Sequence, residues 1–365
     1  MPGKFSFKKF SDIDINDTFF DELKADYPGS EHSTGFVEWF AKKVIARDTA
    51  LVFEDDDGVG AFVALKDEEE PVALESGVLP AIPRMKISTL RLAQRYRGQR
   101  LGEGALGLTL WQWRRKNSPE IYVTVFEKRD SLIGLFERFG FTRLGKNLNG
   151  ELVYAKNRND IDYSNPYKAF PFIDPAFQKA GYIIVEDYYH DTLFPYSELK
   201  GMLQHQVGLS VANGISKIYV GAQYTRPHYQ VGEPVLIYRK YNGGGTKRYK
   251  SCITSFCVVT DVIMVKTNNQ YHMTFEELMI RIGNKSVFDE NDLLTKYEND
   301  KNIVVIEMLY CGYFGEGNNV NMDWLDKNGY WAGQNQYPAN VQLSPDQFKQ
   351  ILTEGSVNVS DVIIN

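Results

Sequence analysis

One stretch of this 365-residue chain narrows its possible folds more than any other, and it runs from Met85 to Trp113. Its first part, with apolar Ile87, Leu90 and Leu92, predicts a strand. Its last part sets Leu101, Ala105 and Leu108 on one helical face at i, i+4, i+7 spacing. Between them lies a basic turn, Arg95-Tyr-Arg-Gly-Gln-Arg100. A strand that feeds a helix through such a turn leaves the first helical N–H groups without partners and aims the positive end of the helix dipole outward. That arrangement is a cradle for a diphosphate. Gly98 and Gly102 let the backbone approach such an anion closely, and Arg97 and Arg100 add charge-assisted donors.

The run Leu92 to Gly102 resembles, in spacing, the acetyl-coenzyme-A loop of the GNAT acetyltransferase superfamily, whose pattern is Arg/Gln-x-x-Gly-x-Gly/Ala after a strand. Arg97 and Gly102 match the outer positions, and Arg100 replaces the middle glycine. Downstream, Ile121 to Phe126 alternates as a strand. Leu132 to Phe141 resembles the superfamily's next helix and its Gly-Phe ending, with Gly140 as left-handed cap and Phe141 opening the returning strand.

For residues 1–157 the resemblance implies a mixed sheet flanked by helices. It implies acetyl-coenzyme A as cosubstrate, held by Leu90, Leu92, Arg97, Gly98, Gln99, Arg100, Gly102 and Glu103. It also implies that strands Ser88–Ala93 and Ile121–Phe126 splay apart to admit the pantetheine arm, with a backbone N–H near Leu92 for the oxyanion. Glu75 and Glu127 are the base candidates, set against a plain reading as surface acids. The superfamily's proton-donating tyrosine is Phe136 here, so either water or another phenol such as Tyr122 protonates the leaving thiolate, or the cofactor binds without turnover. Its frequent asparagine is replaced by Arg129.

With 43% apolar and 13% aromatic residues the chain can build cores for two or three domains. A net charge of −6 weighs against a wholesale nucleic-acid coat, although local basic patches stay open. No window of eighteen apolar residues occurs, and Met1 to Phe10 lacks the apolar run of a secretory signal, so a cytoplasmic location and no membrane contact are expected. Cys252, Cys257 and Cys311 are odd in number and at no zinc-ligand spacing. They read as small buried hydrophobes in a reducing compartment, with no metal expected.

Taken in order, Phe20–Tyr27 and Thr34–Arg47 predict helices. Phe36, Trp39, Phe40 and Val44 of the second either border an acceptor channel, as the resemblance implies, or simply cover the sheet. Ala50–Phe53 and Val59–Leu65 form a hairpin around Asp57-Gly58, followed by strands near Pro71–Gly77 and Glu151–Lys156. Residues 158–214 read as an aromatic and proline-rich connector with a strand from Tyr182 and a helix from Ser197 to Ala212. His190 and His205 read as structural rather than catalytic.

From 215 to 365 short strands separated by glycine turns predict a small barrel, with capping boxes at Thr274/Glu277 and Ser344/Gln347. Gln230 to Arg239, the strand from Cys252 and the closing helix from Ser344 resemble a PUA-like barrel of the kind that includes ASCH domains. The ASCH signature Gly-x-Lys-x-x-Glu is not reproduced in Gly221 to Arg226. The expected whole is α+β: a GNAT-like sheet followed by a PUA-like barrel.

PUA-like domains commonly bind RNA. The basic, tyrosine-containing loop here, with Arg239, Lys240, Tyr241, Lys247, Arg248 and Lys250, is the expected RNA contact, set against a reading as a solvated hairpin. The expected function is acetyl transfer to an amine of an RNA-associated substrate, charged tRNA or a ribonucleoprotein. The alternatives are transfer to a protein or small amine, with the barrel serving for specificity or dimerisation, and a coenzyme-A- and RNA-binding protein without turnover.

Overall fold

The computed structural model describes residues 3–29, 34–200, 210–222, 229–331 and 340–364. The chain divides into two units, Met1–Glu137 with Phe141–Asp160, and Ile161–Asn365 with Arg138–Gly140. The architecture is α+β throughout.

The first unit runs β1 (Lys4–Lys9), α1 (Asp21–Asp26), α2 (Phe36–Ile45), β2 (Thr49–Asp55), β3 (Gly58–Glu68), β4 (Val72–Leu74), β5 (Gly77–Leu79) and β6 (Arg84–Leu92). It continues with α3 (Leu101–Lys116), β7 (Glu120–Val125), α4 (Asp130–Arg138), β8 (Thr142–Lys146) and β9 (Leu152–Asn157). Seven strands join in the order β1-β2-β3-β6-β7-β9-β8. Only β6 and β7 pair in parallel, because α3 is the crossover that carries the chain back between them. Strand β1 was not anticipated: its Lys-Phe-Ser-Phe-Lys-Lys is a charged edge strand, and charge on an edge guards against further pairing.

Phe10, Phe20, Phe36, Phe40 and Phe62 form one buried cluster on a face of this sheet. The Phe20 and Phe62 rings meet edge to face at 5.3 Å. Phe36 and Phe40 therefore cover the sheet, with Trp39 and Val44 packed at the margin. The strand expected near Pro71–Gly77 does not enter the sheet. Its residues make the separate hairpin β4–β5, bounded by Pro71 and Pro80, which have no N–H to give to a longer ladder. Leu74, Val72 and Leu79 of this hairpin lie on Tyr122, Val153 and Ala155.

The second unit contains α5 (Pro166–Ala169), β10 (Ala180–Glu186), α6 (Asp187–Leu193), α7 (Ser210–Asn213), β11 (Ser216–Gly221), β12 (Pro234–Lys240), α8 (Lys247–Lys250) and β13 (Cys252–Thr267). After these come β14 (Gln270–Tyr271), α9 (Phe275–Ile282), α10 (Glu290–Asn299), β15 (Ile303–Tyr313), β16 (Val320–Asn321), α11 (Met322–Lys327), β17 (Gln342–Leu343), α12 (Pro345–Glu354) and α13 (Val359–Val362). The sheet order is β11-β15-β13-β12-β10-β17, with β14 and β16 also on β13. Strand β13 is sixteen residues long and changes register against β15 at three places, which bends it and curves the sheet.

Two expectations for 158–214 change. The stretch is not a separate connector, because β10 pairs in parallel with β12 as a strand of the second sheet. No helix starts at Ser197: its N–H closes a turn on Phe194, and its buried hydroxyl meets the Tyr310 hydroxyl at 2.7 Å. A buried hydroxyl partner has displaced the capping role. Most of the remaining span expected as helix, and His205 within it, lie outside the described residues, as do 223–226 of the stretch compared with the ASCH signature. Both capping boxes form, and the three cysteines are free and buried.

Candidate functional site

The two central strands of the first unit part company. Parallel pairing of β6 with β7 runs only from Arg84↔Glu120 to Ile87↔Val123. Strand β6 continues to Leu92 against β3 alone. Burial along β6 follows suit, with Met85 and Ile87 enclosed and every residue from Ser88 to Leu92 only partly covered. The Ala93 N–H donates to the Gly60 carbonyl at 2.8 Å. By the alternation of an antiparallel ladder, Ala93 and Arg91 face β3, and the backbone groups of Leu90 and Leu92 point into the gap that β7 has left.

The gap leads to the turn before α3. Gly98 is left-handed at φ +78° with open space where a Cβ would stand. Arg100 is also left-handed, at φ +61°, and occupies the N-cap position. For a side-chain-bearing residue that conformation costs about 1–2 kcal/mol. Its guanidinium folds back on Glu103 at 2.7 Å, with both side chains about nine-tenths buried, so the charge expected to face a diphosphate is already paired within the turn. Among the described residues no acceptor meets the amides of Leu101 and Gly102, the first two of a sixteen-residue helix. A Cβ on Gly102 would stand 2.9 Å from Leu92 Cδ1, so the missing side chain lets the helix start press on the end of β6. Arg97 is exposed, with no acidic partner among the described residues.

Sequence reading missed the groups that fix this turn. Arg95 donates from Nη2 to the carbonyls of Gly58 and Val59, both at 3.0 Å, and its guanidinium lies 5.0 Å from the Tyr96 ring centroid. Tyr96 lies so close to Gly60 that a Cβ there would be 2.5 Å from its ring. The signal was the glycine three residues into β3, which only a long-range contact explains.

The catalytic candidates scatter. Glu75 sits exposed in the β4–β5 turn with its N–H on the Lys146 carbonyl, away from the gap between β6 and β7. Tyr122 belongs to the part of β7 that is still paired, opposite Lys86. It lies under the hairpin, its hydroxyl donating to the Glu68 carboxylate. Burial and that carboxylate both push the phenol well above its ordinary range, so it is a poor proton donor. Phe136 is fully buried and packs on Phe141 at 5.3 Å. Glu127 follows the end of β7, exposed at the level where the gap has opened. Around the same end, Arg91 pairs with Glu22 at 2.7 Å, and Arg129 reaches Asp26 at 3.9 Å.

The basic loop of the second unit is largely neutralised. Arg239 is only 3% exposed and gives two hydrogen bonds to Asp191, at 2.8 and 3.1 Å, so it cannot contact RNA. Lys240 pairs with Glu186 at 3.2 Å, and Arg248 with Asp323 and Asp326 at 2.6 and 2.7 Å. Lys250 lies over the Tyr241 ring and donates to the Gly244 carbonyl. Lys247 is exposed with no acidic partner among the described residues.

The buried Asp191 also accepts from His190, whose other ring nitrogen meets the Thr254 hydroxyl at 2.7 Å. Burial depresses the His190 pKa despite that carboxylate. The ring is fully enclosed, which makes this a structural network. Among the described residues no cluster of three or more metal-ligating acids, histidines or cysteines forms, and no helix is long and apolar enough to cross a membrane.

Comparisons with known proteins bear on this geometry. No curated protein matches the chain. Similar solved structures include Arabidopsis thaliana Naa50 in complex with the bisubstrate analogue CoA-Ac-MVNAL, at 20% identity over 43% of this chain and 99% of that one, with TM-score 0.31. The ribosomal-protein-S18-alanine N-acetyltransferase of Escherichia coli is 16% identical over 42% and 93%, with TM-score 0.29. An ASCH protein of Zymomonas mobilis is 11% identical over 48% and 94%, with TM-score 0.31. Residues 16–141, which hold the parted strands and the turn before α3, match the model of the acetyltransferase (GNAT) family, and this part of the chain is an acyltransferase domain.

Proposed function

We propose that the chain is an acetyl-coenzyme-A-dependent N-acetyltransferase acting on a primary amine. The observation that carries this reading is the end of β6–β7 pairing at Ile87 and Val123, which opens the Leu90–Leu92 backbone edge toward the start of α3. The residues fit the cosubstrate. The Leu101 and Gly102 amides and the open face of Gly98 suit its diphosphate, with Arg97 alongside. The Leu90 and Leu92 backbone groups suit the amides of its pantetheine arm, and the Leu92 N–H suits a developing oxyanion. Arg100, Gln99 and Glu103 shape the turn.

Bound acetyl-coenzyme A supplies an activated acyl group on a good leaving thiolate. Holding an amine beside it supplies much of the acceleration by proximity. Glu127 takes the proton of the attacking ammonium. With Phe136 lacking a hydroxyl and Tyr122 tied to Glu68, solvent at the exposed strand ends protonates the thiolate. Glu22 and Asp26 are held by Arg91 and Arg129, so exposed Glu127 after β7 is the acid that favours a cationic acceptor: a protein amine or a small amine.

A second reading keeps an RNA-associated amine, such as charged tRNA or a ribonucleoprotein, as the acceptor. It is supported by exposed Lys247, Lys250 and Tyr249, and narrowed by the pairing of Arg239, Lys240 and Arg248 with acids. Incubation with labelled acetyl-coenzyme A and cell extract separates the readings. Label in protein or small amines supports the first, and label in RNA supports the second. Coenzyme A bound with no label transferred overturns both in favour of a binding protein.

A further inference from the structure

The last paired residues of the two parted strands are Ile87 and Val123. Leu92 lies five residues beyond the first and Lys128 five beyond the second, so the two walls reach the mouth of the opening together. The chain leaves β7 at Val125 and turns there, the Arg129 N–H closing on the Phe126 carbonyl at 3.0 Å. Lys128 stands in this turn and is exposed. Its ammonium lies 5.7 Å from the Phe126 ring centroid and has no acidic partner among the described residues. A ring at an exposed site holds a cation by only about 0.5–1 kcal/mol, so the side chain can swing away from it. The guanidiniums at the same end are engaged elsewhere, Arg91 on Glu22 and Arg129 on Asp26. The other lysine on the two walls, Lys86, belongs to the paired part, 5.4 Å from the Tyr122 ring centroid.

We propose that Lys128 is a self-modification site, acetylated within one molecule by the first unit that carries it. This rests on the acetyltransferase reading above. Neighbouring strands stand about 4.8 Å apart, so an extended arm in the place of a missing strand sets its end about that far from either wall. The flexible four-carbon stem of a lysine spans such a distance. The step is acyl transfer to the ε-amine: the nitrogen–carbonyl bond forms as the carbon–sulfur bond breaks. The ammonium gives up two protons. One passes through the Glu127 carboxylate to solvent, and the other reaches the coenzyme A thiolate through solvent. Glu127 directly precedes Lys128, so base and nucleophile share one turn. Carrying the amine on the chain that holds the thioester supplies the proximity a dissolved amine lacks. The product is neutral, so the turn loses a cation beside Glu127.

The test is incubation of the full chain with acetyl-coenzyme A, followed by peptide mass mapping. The Lys128 peptide should gain one acetyl group at a rate independent of chain concentration, and Lys128→Arg should abolish that gain. With acetyl-coenzyme A below saturation, Gly102→Glu should slow it by about 100-fold, whereas spontaneous acetylation of exposed Lys247 keeps its rate. A second readout needs no turnover. Under an amine-reactive acetyl ester, bound coenzyme A should shield Lys128 and leave Lys247 labelled as before, and Gly102→Glu should remove the shielding. Thermal melts check that both variants are folded. Coenzyme A binding and transfer to a dissolved amine are measured alongside. If Lys128 gains nothing, gains it in proportion to chain concentration, or gains it as fast in Gly102→Glu, the inference is overturned, and transfer to the dissolved amine then upholds the acetyltransferase reading by itself. If coenzyme A does not bind, both are overturned.

Discussion

Gly102 is where the reading of the first unit can be broken most cleanly. Gly102→Glu places a carboxylate at the second position of α3, beside the amides assigned to the diphosphate. Among the described residues, and apart from the helix's own backbone and the chain neighbours, the atoms within 4 Å of the new Cβ are the ends of two flexible side chains, Leu92 Cδ1 at 2.9 Å and Leu135 Cδ2 at 3.7 Å, so the fold should accommodate it with a small shift. The electrostatic effect is much larger. Two like charges about 4 Å apart, at an effective dielectric near 20, repel by about 4 kcal/mol. Each 1.4 kcal/mol is a factor of ten, so coenzyme A affinity should fall by at least about 100-fold even after solvent screening. Gly102→Ala, which adds the steric contact without the charge, should lose less than about fivefold. Calorimetry with coenzyme A reads both variants, and a thermal melt checks that they are folded. If Gly102→Glu binds as the parent does, or if the alanine and glutamate variants weaken equally, the diphosphate is not held there.

Four other outcomes follow from the same geometry. Glu127→Gln should lower kcat by about 100-fold or more and remove the acidic limb of the pH–rate profile, the signature of a lost base; an unchanged profile excludes that role. Tyr122→Phe should leave kcat within about twofold and lower stability by about 1 kcal/mol, because Glu68 loses a donor. Burial sets the His190 pKa below its ordinary value near 6.5, so the unfolded chain binds more protons just below that pH; stability is complete above pH 6.5 and declines on acidification, and His190→Gln should flatten that decline in denaturant titrations at pH 5 to 7. Charge reversal at Lys247 and Lys250 tests the second reading: at low salt it should abolish any RNA retention, and retention unaffected by it removes this loop as the contact.

The strand, turn and helix from Met85 onward were legible because each carries its own local signature: alternation, a glycine at positive φ and a 3.6-residue stripe. The Gly140-Phe141 ending was legible for the same reason, with Gly140 left-handed at φ +80° and the Phe141 N–H on the Phe136 carbonyl. What escaped depends on distant partners. Nothing within Gln94 to Arg100 says that Arg95 is spent on β3, or that Arg100 is turned back on Glu103. Arg239 read as one more basic loop residue until Asp191, forty-eight positions away, enclosed it. Ser197 has every local property of a cap, and Tyr310, 113 residues on, takes its hydroxyl instead.

The brevity of the β6–β7 ladder has an evolutionary consequence. If the groove holds the pantetheine arm as proposed, its contacts come from main chain, so changes in the size of the Leu90 and Leu92 side chains leave those contacts in place. The same groove has one intolerance: an imino acid at either position deletes a donor that no side chain can restore.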